Sequence, residues 1–156
     1  MIIRILGVGD TKLSYLKEGE SDFLSRIAHY TMVKSEWLKS PKIGKNETAD
    51  QIRKKEAEIL MSRCTDASFV VALDVAGKQQ TSEDFAKTIS DWMSRSIREA
   101  AFIIGGPFGL DASILRRANQ VLSLSRMTFT HDMTRLILLE QIYRALTILK
   151  GEKYHK

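Results

Sequence analysis

Short apolar runs alternate with amphipathic segments along the whole chain. Runs of strand length occupy residues 2–6, 69–73, 102–104 and 121–125, and residues 31–38 alternate between apolar and polar positions. The run at 69–73 is apolar at every position, which is typical of a strand that is covered on both faces. We therefore predict an α/β fold with a mostly parallel central sheet flanked by helices.

Segments with helical periodicity fill the intervals between these strands. They predict helices over about 20–30, from Thr48 to about 63, from Thr81 or Asp84 onward, after Asp111 or Ser113, and from Thr130 or Asp132 to about 150. Thr48 and Gln51 have the spacing of a capping box, and Gly151 is placed to follow the last helix as its C′ residue. Residues 53–56 (RKKE) alternate in charge with Glu58, which favours a solvated, salt-bridged face.

The final helix is apolar around much of its circumference. Leu136, Ile137, Leu139, Ile142 and Leu146 do not fit on one narrow stripe. A helix of this kind must be covered on more than one side. We therefore expect the sheet on one side of it and a second subunit on the other.

Two glycine-rich turns follow predicted strands. Residues 105–109 (GGPFG) leave the strand at 102–104, and side-chain-poor backbone at the end of a parallel strand can lie directly against a ligand. The same residues also suit a plain tight turn, and both interpretations stay open. Residues 7–9 (GVG) lack the third glycine of a dinucleotide-binding fingerprint, and they are predicted to form a turn after the first strand. Residues 77–78 (GK) are predicted to turn the chain after Asp74 ends the strand at 69–73.

Length and charge narrow the classes of protein. The 156 residues are predicted to form a single domain, 1–156, with 44% hydrophobic and 28% charged residues. No apolar run approaches membrane-spanning length, and the single cysteine, Cys64, excludes an internal disulfide, so a cytoplasmic protein is expected. The net charge is +5; residues 100–156 hold 8 basic and 4 acidic side chains, whereas residues 1–99 hold 16 and 15. The excess near the carboxyl terminus suits an anionic partner such as RNA.

Several reaction classes lack their residues. There is no GxSxG nucleophile elbow and no GxxxxGK[ST] phosphate loop, and the histidines are scattered at 29, 131 and 155, so no metal site is predicted. The remaining possibility is a protein that binds a cofactor mainly through its backbone, beside a basic and aromatic surface.

Four ordered motifs resemble the RlmH family of SPOUT-class methyltransferases, which act on large-subunit ribosomal RNA. They are residues 104–110 (IGGPFGL), 122–129 (LSLSRMTF), 139–145 (LEQIYRA) and 154–156 (YHK), with upstream matches at 72–74 (ALD) and 82–86 (SEDFA). The resemblance covers essentially the whole chain. Thr130 stands where the family usually has proline and Asp132 where it commonly has glutamine. Thr130 is able to cap the final helix.

The resemblance implies a SPOUT-type α/β fold with a trefoil knot in the carboxyl-terminal half, an exception to the general absence of knots. It also implies a homodimer and methylation of N3 of a pseudouridine in the 23S RNA of an assembled ribosome. It implies S-adenosyl-L-methionine as cofactor. Carried over by position, the residues near this cofactor are Leu73, Gly105, Gly106, Pro107, Leu124, Ser125, Arg126, Met127, Thr128 and Phe129.

Methyl transfer to an imide nitrogen needs the loss of its proton or stabilisation of its anion. The candidates are His155, Tyr154, Arg135 and His131, and we favour the tail pair Tyr154 and His155 for placing the base. The residues expected to contact RNA are His131, Arg135, Arg144 and Lys153, with Arg126 beside them. Two alternatives remain: a non-enzymatic RNA-binding module that uses the basic tail, and a nicotinamide enzyme that uses residues 7–9.

Overall fold

One five-stranded sheet organises the described part of the chain, and all of its pairings are parallel. This computed structural model describes residues 1–64 and 69–155. The strands are β1 (Ile2–Val8), β2 (Met32–Leu38), β3 (Phe69–Gln79), β4 (Glu99–Ile104) and β5 (Gln120–Ser123), and their order across the sheet is β2-β1-β4-β3-β5. The predicted α/β class and parallel sheet are confirmed.

Helices cover both faces of the sheet. They are α1 (Ser14–Ala28), α2 (Ala49–Met61), α3 (Ser82–Ser94), α4 (Ala112–Arg117) and α5 (His131–Leu149), followed by a 3₁₀ turn at Lys153–His155. On one face α1, α3 and α5 enclose the larger core around Phe102, Ile89 and Ile142. On the other face α2 and α4 enclose a smaller core around Ile103, Leu60 and Ile114. Burial of both faces accounts for the unbroken apolar strands.

The helix ends follow the capping residues that the sequence offers. Thr48 and Gln51 form the predicted capping box, in which the Gln51 N–H donates to Thr48 Oγ1 over 3.3 Å and the Thr48 N–H donates to Gln51 Oε1 over 2.9 Å. Thr130 accepts from the Met133 N–H over 3.3 Å, so it caps α5. Gly151 ends the same helix with φ +69°, as expected of a C′ glycine.

The predicted turn at residues 77–78 is wrong, because β3 continues to Gln79 beyond a bulge. Leu73 and Lys78 both pair with Leu122, so the intervening residues loop out of the ladder. A Cβ on Gly77 would lie 2.7 Å from the backbone carbonyl carbon of Leu122. This glycine therefore permits close approach of two strands and does not turn the chain. The bulge directs Asp74 and Val75 toward the end of the sheet.

Two helices differ from prediction. Helix α1 begins at Ser14, about a turn and a half before the predicted start at residue 20, and it carries Gly19 where a Cβ would lie 2.9 Å from Leu136 Cδ1. This glycine interrupts the apolar pattern but lets α1 pack closely on α5. Helix α5 packs on the sheet through the larger core, as predicted, and it is flanked by α1 and α3. The second subunit stays a prediction. The knot also stays a prediction, because strand order and pairing do not define how the chain is threaded.

Candidate functional site

A cavity of about 240 Å³ lies at the carboxyl edge of the sheet, beside β3, β4 and β5. The turn after β4, the bulge of β3, the loop after β5 and the first turn of α5 form its walls. Its lining comprises Leu73, Asp74, Val75, Ile104, Gly105, Gly106, Pro107, Gly109, Leu122, Leu124, Ser125, Met127, Thr128, Phe129, His131 and Thr134. Carboxyl edges of parallel strands are the usual ligand sites of open α/β sheets, and this cavity fits that rule.

Residues 105–109, named here the glycine loop, form a tight turn that also lines the cavity. The Gly109 N–H donates to the Gly106 carbonyl over 3.0 Å, with Pro107 at the second position of the turn and Gly109 at φ +81°. A Cβ on Gly105 would lie 2.6 Å from the Gly109 carbonyl carbon, so only glycine fits there. The two interpretations that the sequence left open are therefore compatible.

The loop after β5 is held by its own serines. Ser123 Oγ donates to the Ser125 carbonyl over 3.0 Å, and the Met127 N–H donates to Ser125 Oγ over 3.0 Å. The predicted strand at 121–125 ends at Ser123, so Leu124 and Ser125 belong to this loop. Met127 is 72% exposed although it lines the cavity. An apolar side chain at such a rim is placed to close over a ligand or against another chain.

Glu56 supports the glycine loop from beneath, although residues 53–56 were predicted to be a solvated face. It is only 4% exposed, it accepts a hydrogen bond from the Gly106 N–H, and its Oε2 has no partner among the described residues. A Cβ on Gly106 would lie 2.6 Å from Glu56 Oε1. The sequence signal was available, since Glu56 lies one helical turn from both Ile52 and Leu60, which are buried.

Glu56→Gln is expected to reduce the change in stability with pH. Burial raises the pKa of the Glu56 carboxyl, with the Gly106 N–H opposing the shift. The stabilisation from its bound proton is therefore present below the unfolded pKa and is lost as the pH rises through the folded pKa. Glutamine cannot titrate, so relative to the parent chain the variant should be more stable near neutral pH than in acid. Urea unfolding between about pH 4 and pH 7 measures this. Exposed Glu58→Gln is the matched control, and equal pH profiles for Glu56→Gln and the parent chain would contradict the expectation.

Arg135 does not line the cavity and is fully buried, at 0% exposure. Its Nη2 donates to the Val8 and Gly9 carbonyls over 2.8 and 2.7 Å, and its Nη1 donates to Thr11 Oγ1 over 3.0 Å. The guanidinium carbon lies 4.1 Å from the centre of the Trp37 ring. The expectation that Arg135 contacts RNA or the reacting atoms is therefore corrected, because this side chain holds the end of β1 against α5.

Two buried acids complete the cluster around Arg135. Glu20 Oε1 accepts from Thr11 Oγ1 over 2.7 Å, and Asp132 Oδ1 lies 3.3 Å from Arg135 Nη1. Burial raises the pKa of the Glu20 carboxyl, and the hydroxyl of Thr11 and the charge of Arg135 oppose the shift. Asp132, the departure from the family pattern, also accepts from the Lys12 N–H over 3.3 Å and approaches His131 Nε2 at 3.2 Å. Residues 7–9, which were predicted to form a turn, also lie at this cluster. Gly7 and Val8 lie within β1, and only Gly9, at φ +79°, belongs to the turn that follows the strand.

Arg135→Met is expected to destabilise the fold by about 3–5 kcal/mol, because it leaves the buried carboxylates without their cation. Arg144→Met is the control on the same helix, since the Arg144–Glu140 pair is partly solvated and should be worth about 0–1 kcal/mol. Denaturant unfolding measures both. Equal unfolding midpoints for the two variants would show that Arg135 is not a structural centre.

The tail pair lies on the outside of its own chain. The Tyr154 hydroxyl donates to Glu140 Oε1 over 3.2 Å, and its ring centre lies 4.7 Å from that of Tyr143. His155 Nε2 lies 2.8 Å from Glu83 Oε1. Burial raises the pKa of the Tyr154 phenol, and Glu140 adds to the shift, so this hydroxyl stays protonated. Neither residue lines the cavity, and Lys156 lies outside the described residues.

The structure therefore brings together most of the residues that were expected near a cofactor. All of them line the cavity except Arg126, which is exposed. Of the residues expected to contact RNA, only His131 reaches the cavity; Arg144 pairs with Glu140 and Lys153 is exposed. Six lining residues were not among the predicted site residues. Four of them lie within the quoted motifs (Asp74, Ile104, Gly109 and Leu122), whereas Val75 follows Asp74 in the bulge and Thr134 lies one turn beyond the cap of α5.

Within residues 1–64 and 69–155, no three side chains of the metal-binding types gather. None of the helices there has the length and apolar character needed to cross a bilayer.

Comparison with known proteins defines the class first. The family described as "Predicted SPOUT methyltransferase" matches residues 1–155. Solved structures of a probable methylase family protein from Haemophilus influenzae (TM-score 0.57, 13% identity, 99% of this chain and 70% of that one) and of a probable methyltransferase from Bordetella pertussis (TM-score 0.55, 9% identity, 92% and 95%) share the fold.

Curated relatives narrow the class further. The ribosomal RNA large subunit methyltransferase H of Desulfotalea psychrophila is 46% identical over 97% of both chains, and that of Halothermothrix orenii is 44% identical over 100% of both. The chain belongs to the ribosomal RNA large subunit methyltransferase H family of SPOUT methyltransferases. It is therefore a methyltransferase, and its chemistry requires a methyl donor.

Proposed function

We propose that this chain transfers a methyl group from S-adenosyl-L-methionine to N3 of a pseudouridine in 23S ribosomal RNA of the assembled large subunit. The observation that carries the proposal is the convergence of three loops on one cavity: the β3 bulge, the glycine loop and residues 124–129. Leu73 at the start of the bulge, Gly105, Gly106 and Pro107, and residues 124–129 apart from Arg126 are residues that the family resemblance assigns to the cofactor and that line this cavity. Because the proposed substrate is ribosomal RNA, we propose that the protein acts in the cytoplasm, where the ribosomes are.

The cavity suits the proposed cofactor in chemistry. Side-chain-poor backbone at Gly105 and Gly106 leaves amides and carbonyls for the edges of an adenine, and Leu73, Leu124 and Met127 offer apolar walls. S-adenosyl-L-methionine supplies an electrophilic methyl group on a sulfonium. The chain's own task is to align the nucleophile with that methyl and to exclude water.

The size of the cavity supports a homodimer. Its volume of about 240 Å³ is slightly below the roughly 300–1,000 Å³ of ordinary ligand pockets, and Met127 and Val75 in its lining are exposed, as is Phe108 between the lining residues Pro107 and Gly109. A second copy packed on this rim would enclose the site and bury the apolar side chains. We therefore propose that the active form is a homodimer with its cavities at the interface.

Methylation of N3 would require the loss of its proton, so the chain must place a group that accepts this proton beside the cavity. Within one chain only His131, of the proposed acid–base residues, lines the cavity. Tyr154 and His155 act in this proposal on the cavity of the second copy. The Tyr154 hydroxyl donates to Glu140, and its raised pKa keeps it protonated, so His155 is assigned the base. Lys153, Arg126 and Arg144 are assigned to phosphate contacts, which position the RNA without reading its sequence.

Mass spectrometry of 23S RNA tests the function. A strain without this chain should lack one methyl group on a pseudouridine, and the purified chain with S-adenosyl-L-methionine should restore it on ribosomes from that strain. Unchanged RNA in the deletion strain would overturn the assignment. If the chain binds ribosomes but gives no heat with S-adenosyl-L-methionine in calorimetry, the RNA-binding module becomes the better explanation.

A further inference from the structure

Positive charge in the amino-terminal half is concentrated in one segment, residues 39–55. This segment, named here the basic arm, holds six basic side chains, Lys39, Lys42, Lys45, Arg53, Lys54 and Lys55, and two acidic ones, Glu47 and Asp50. Its balance is +4. The rest of residues 1–99 then holds 10 basic and 13 acidic side chains, a balance of −3. The near-neutral sum over residues 1–99 therefore conceals a second basic region.

The fold places the basic arm at the same edge of the sheet as the cavity. The arm leaves the carboxyl end of β2, where the Gly9 N–H donates to the Leu38 carbonyl over 2.7 Å. Arg53 Nη1 donates to the Phe108 carbonyl over 3.2 Å, which fastens α2 to the glycine loop. One end of the arm thus adjoins the β1 loop, and the other adjoins the wall of the cavity.

Part of this charge is free to meet a partner. Lys55 pairs with Glu47 and Arg53 pairs with Asp50, so these side chains brace the arm internally. Lys39, Lys42 and Lys45 are exposed, and among the described residues no acceptor pairs with their ammonium groups. Three unpaired lysines at three-residue spacing on a loop are a flexible set of point charges, which suits phosphates.

We propose that the basic arm binds the phosphate backbone of the substrate RNA on the side of the cavity opposite to the loop that carries Arg126. This inference rests on the proposed function. A nucleotide whose base enters the cavity continues into flanking RNA at the same edge of the sheet, and such RNA would meet Lys39, Lys42 and Lys45. Because phosphate contacts position RNA without reading sequence, the arm sets affinity and register, and the cavity selects the base.

The test compares two triple variants with equal charge changes. Lys39, Lys42 and Lys45 are changed to glutamate in one, and Lys34, Lys87 and Arg98, which are exposed on β2, on α3 and just before β4, are changed to glutamate in the other. We expect the KM of the arm variant for ribosomal subunits to be at least about tenfold higher than that of the parent chain. The negative slope of log affinity against log salt should become shallower by about 2–3, the value for three lost phosphate contacts. The control should stay within about twofold of the parent chain in KM. Neither variant should change affinity for S-adenosyl-L-methionine.

Equal KM values for the two variants would overturn the proposal, whether both rise or both stay near that of the parent chain. Filter binding of ribosomal subunits, which needs no methyl transfer, gives the same comparison. A failure of the proposed function would show as absent methylation by the parent chain, whereas a failure of this inference would leave methylation by the parent chain intact and give the arm variant the same KM as the control. If circular dichroism shows that the glutamate variant does not fold, Lys39, Lys42 and Lys45 are changed to alanine, with the same expected direction and the same criterion.

Discussion

Gly105→Val should abolish measurable binding of S-adenosyl-L-methionine, with a loss of affinity of at least about a hundredfold, which corresponds to about 2.7 kcal/mol. A Cβ at this position would lie 2.6 and 2.8 Å from the carbonyl carbon and oxygen of Gly109. Both atoms are backbone within a hydrogen-bonded turn, so the clash cannot be relieved by a side-chain rotation and the turn that lines the cavity must itself move. Isothermal titration calorimetry measures the loss.

Gly44→Val is the matched control for this substitution. Gly44 lies in an exposed loop, where the atom nearest to an added Cβ is Glu47 Cγ at 3.6 Å, an ordinary contact. The control should bind the cofactor like the parent chain. Unchanged affinity in Gly105→Val, with a folded chain shown by circular dichroism, would remove the glycine loop from the cofactor site.

Deletion of residues 154–156 should leave cofactor binding nearly intact and reduce ribosome methylation by about 10²–10⁴-fold, the range for loss of a general acid or base. Tyr154 and His155 do not line the cavity of their own chain, so their removal should leave the described pocket walls unchanged. Radiolabelled methyl incorporation into ribosomes and calorimetry with the cofactor measure the two effects separately.

Two point variants separate the roles within the tail. His155→Ala should reproduce most of the loss in methylation, because histidine is the assigned base. Tyr154→Phe should have a smaller effect, because it keeps the ring contact with Tyr143, worth about 0.5–1.5 kcal/mol. Full methylation by the deleted chain would exclude any role of the tail in the reaction.

Local patterns were sufficient for most of the fold. Continuous apolar runs marked β3 and β4, and a run interrupted only by Arg4 marked β1, because strands covered on both faces have almost no polar side. The threonine caps of α2, α3 and α5 act through hydrogen bonds within one turn. Each of these signals involves only residues that are close together in the chain, so a single sequence is enough to recognise it. The family motifs likewise indicated the residues that line the cavity.

Features that depend on distant partners could not be predicted. Gly77 resembles a turn glycine until Leu122 is known to lie 2.7 Å from its missing side chain. Arg135 has the charge of an RNA-binding residue, and only the fold shows that its guanidinium caps the end of β1. Glu56 seemed to belong to a solvated run because its partner, Gly106, is 50 positions away. In each case the contact that decides the role is remote in sequence.

The last strand has only four residues, and it is anchored by β3 alone at the margin of the sheet. The wall that follows it therefore stands on a short strand at one edge of the sheet. Occupancy of the cavity and ordering of this margin become one linked equilibrium, in which a ligand that needs the wall in place also holds the strand in register. The affinity for a ligand in this cavity therefore depends on how firmly β5 is held in the sheet as well as on the groups that contact the ligand.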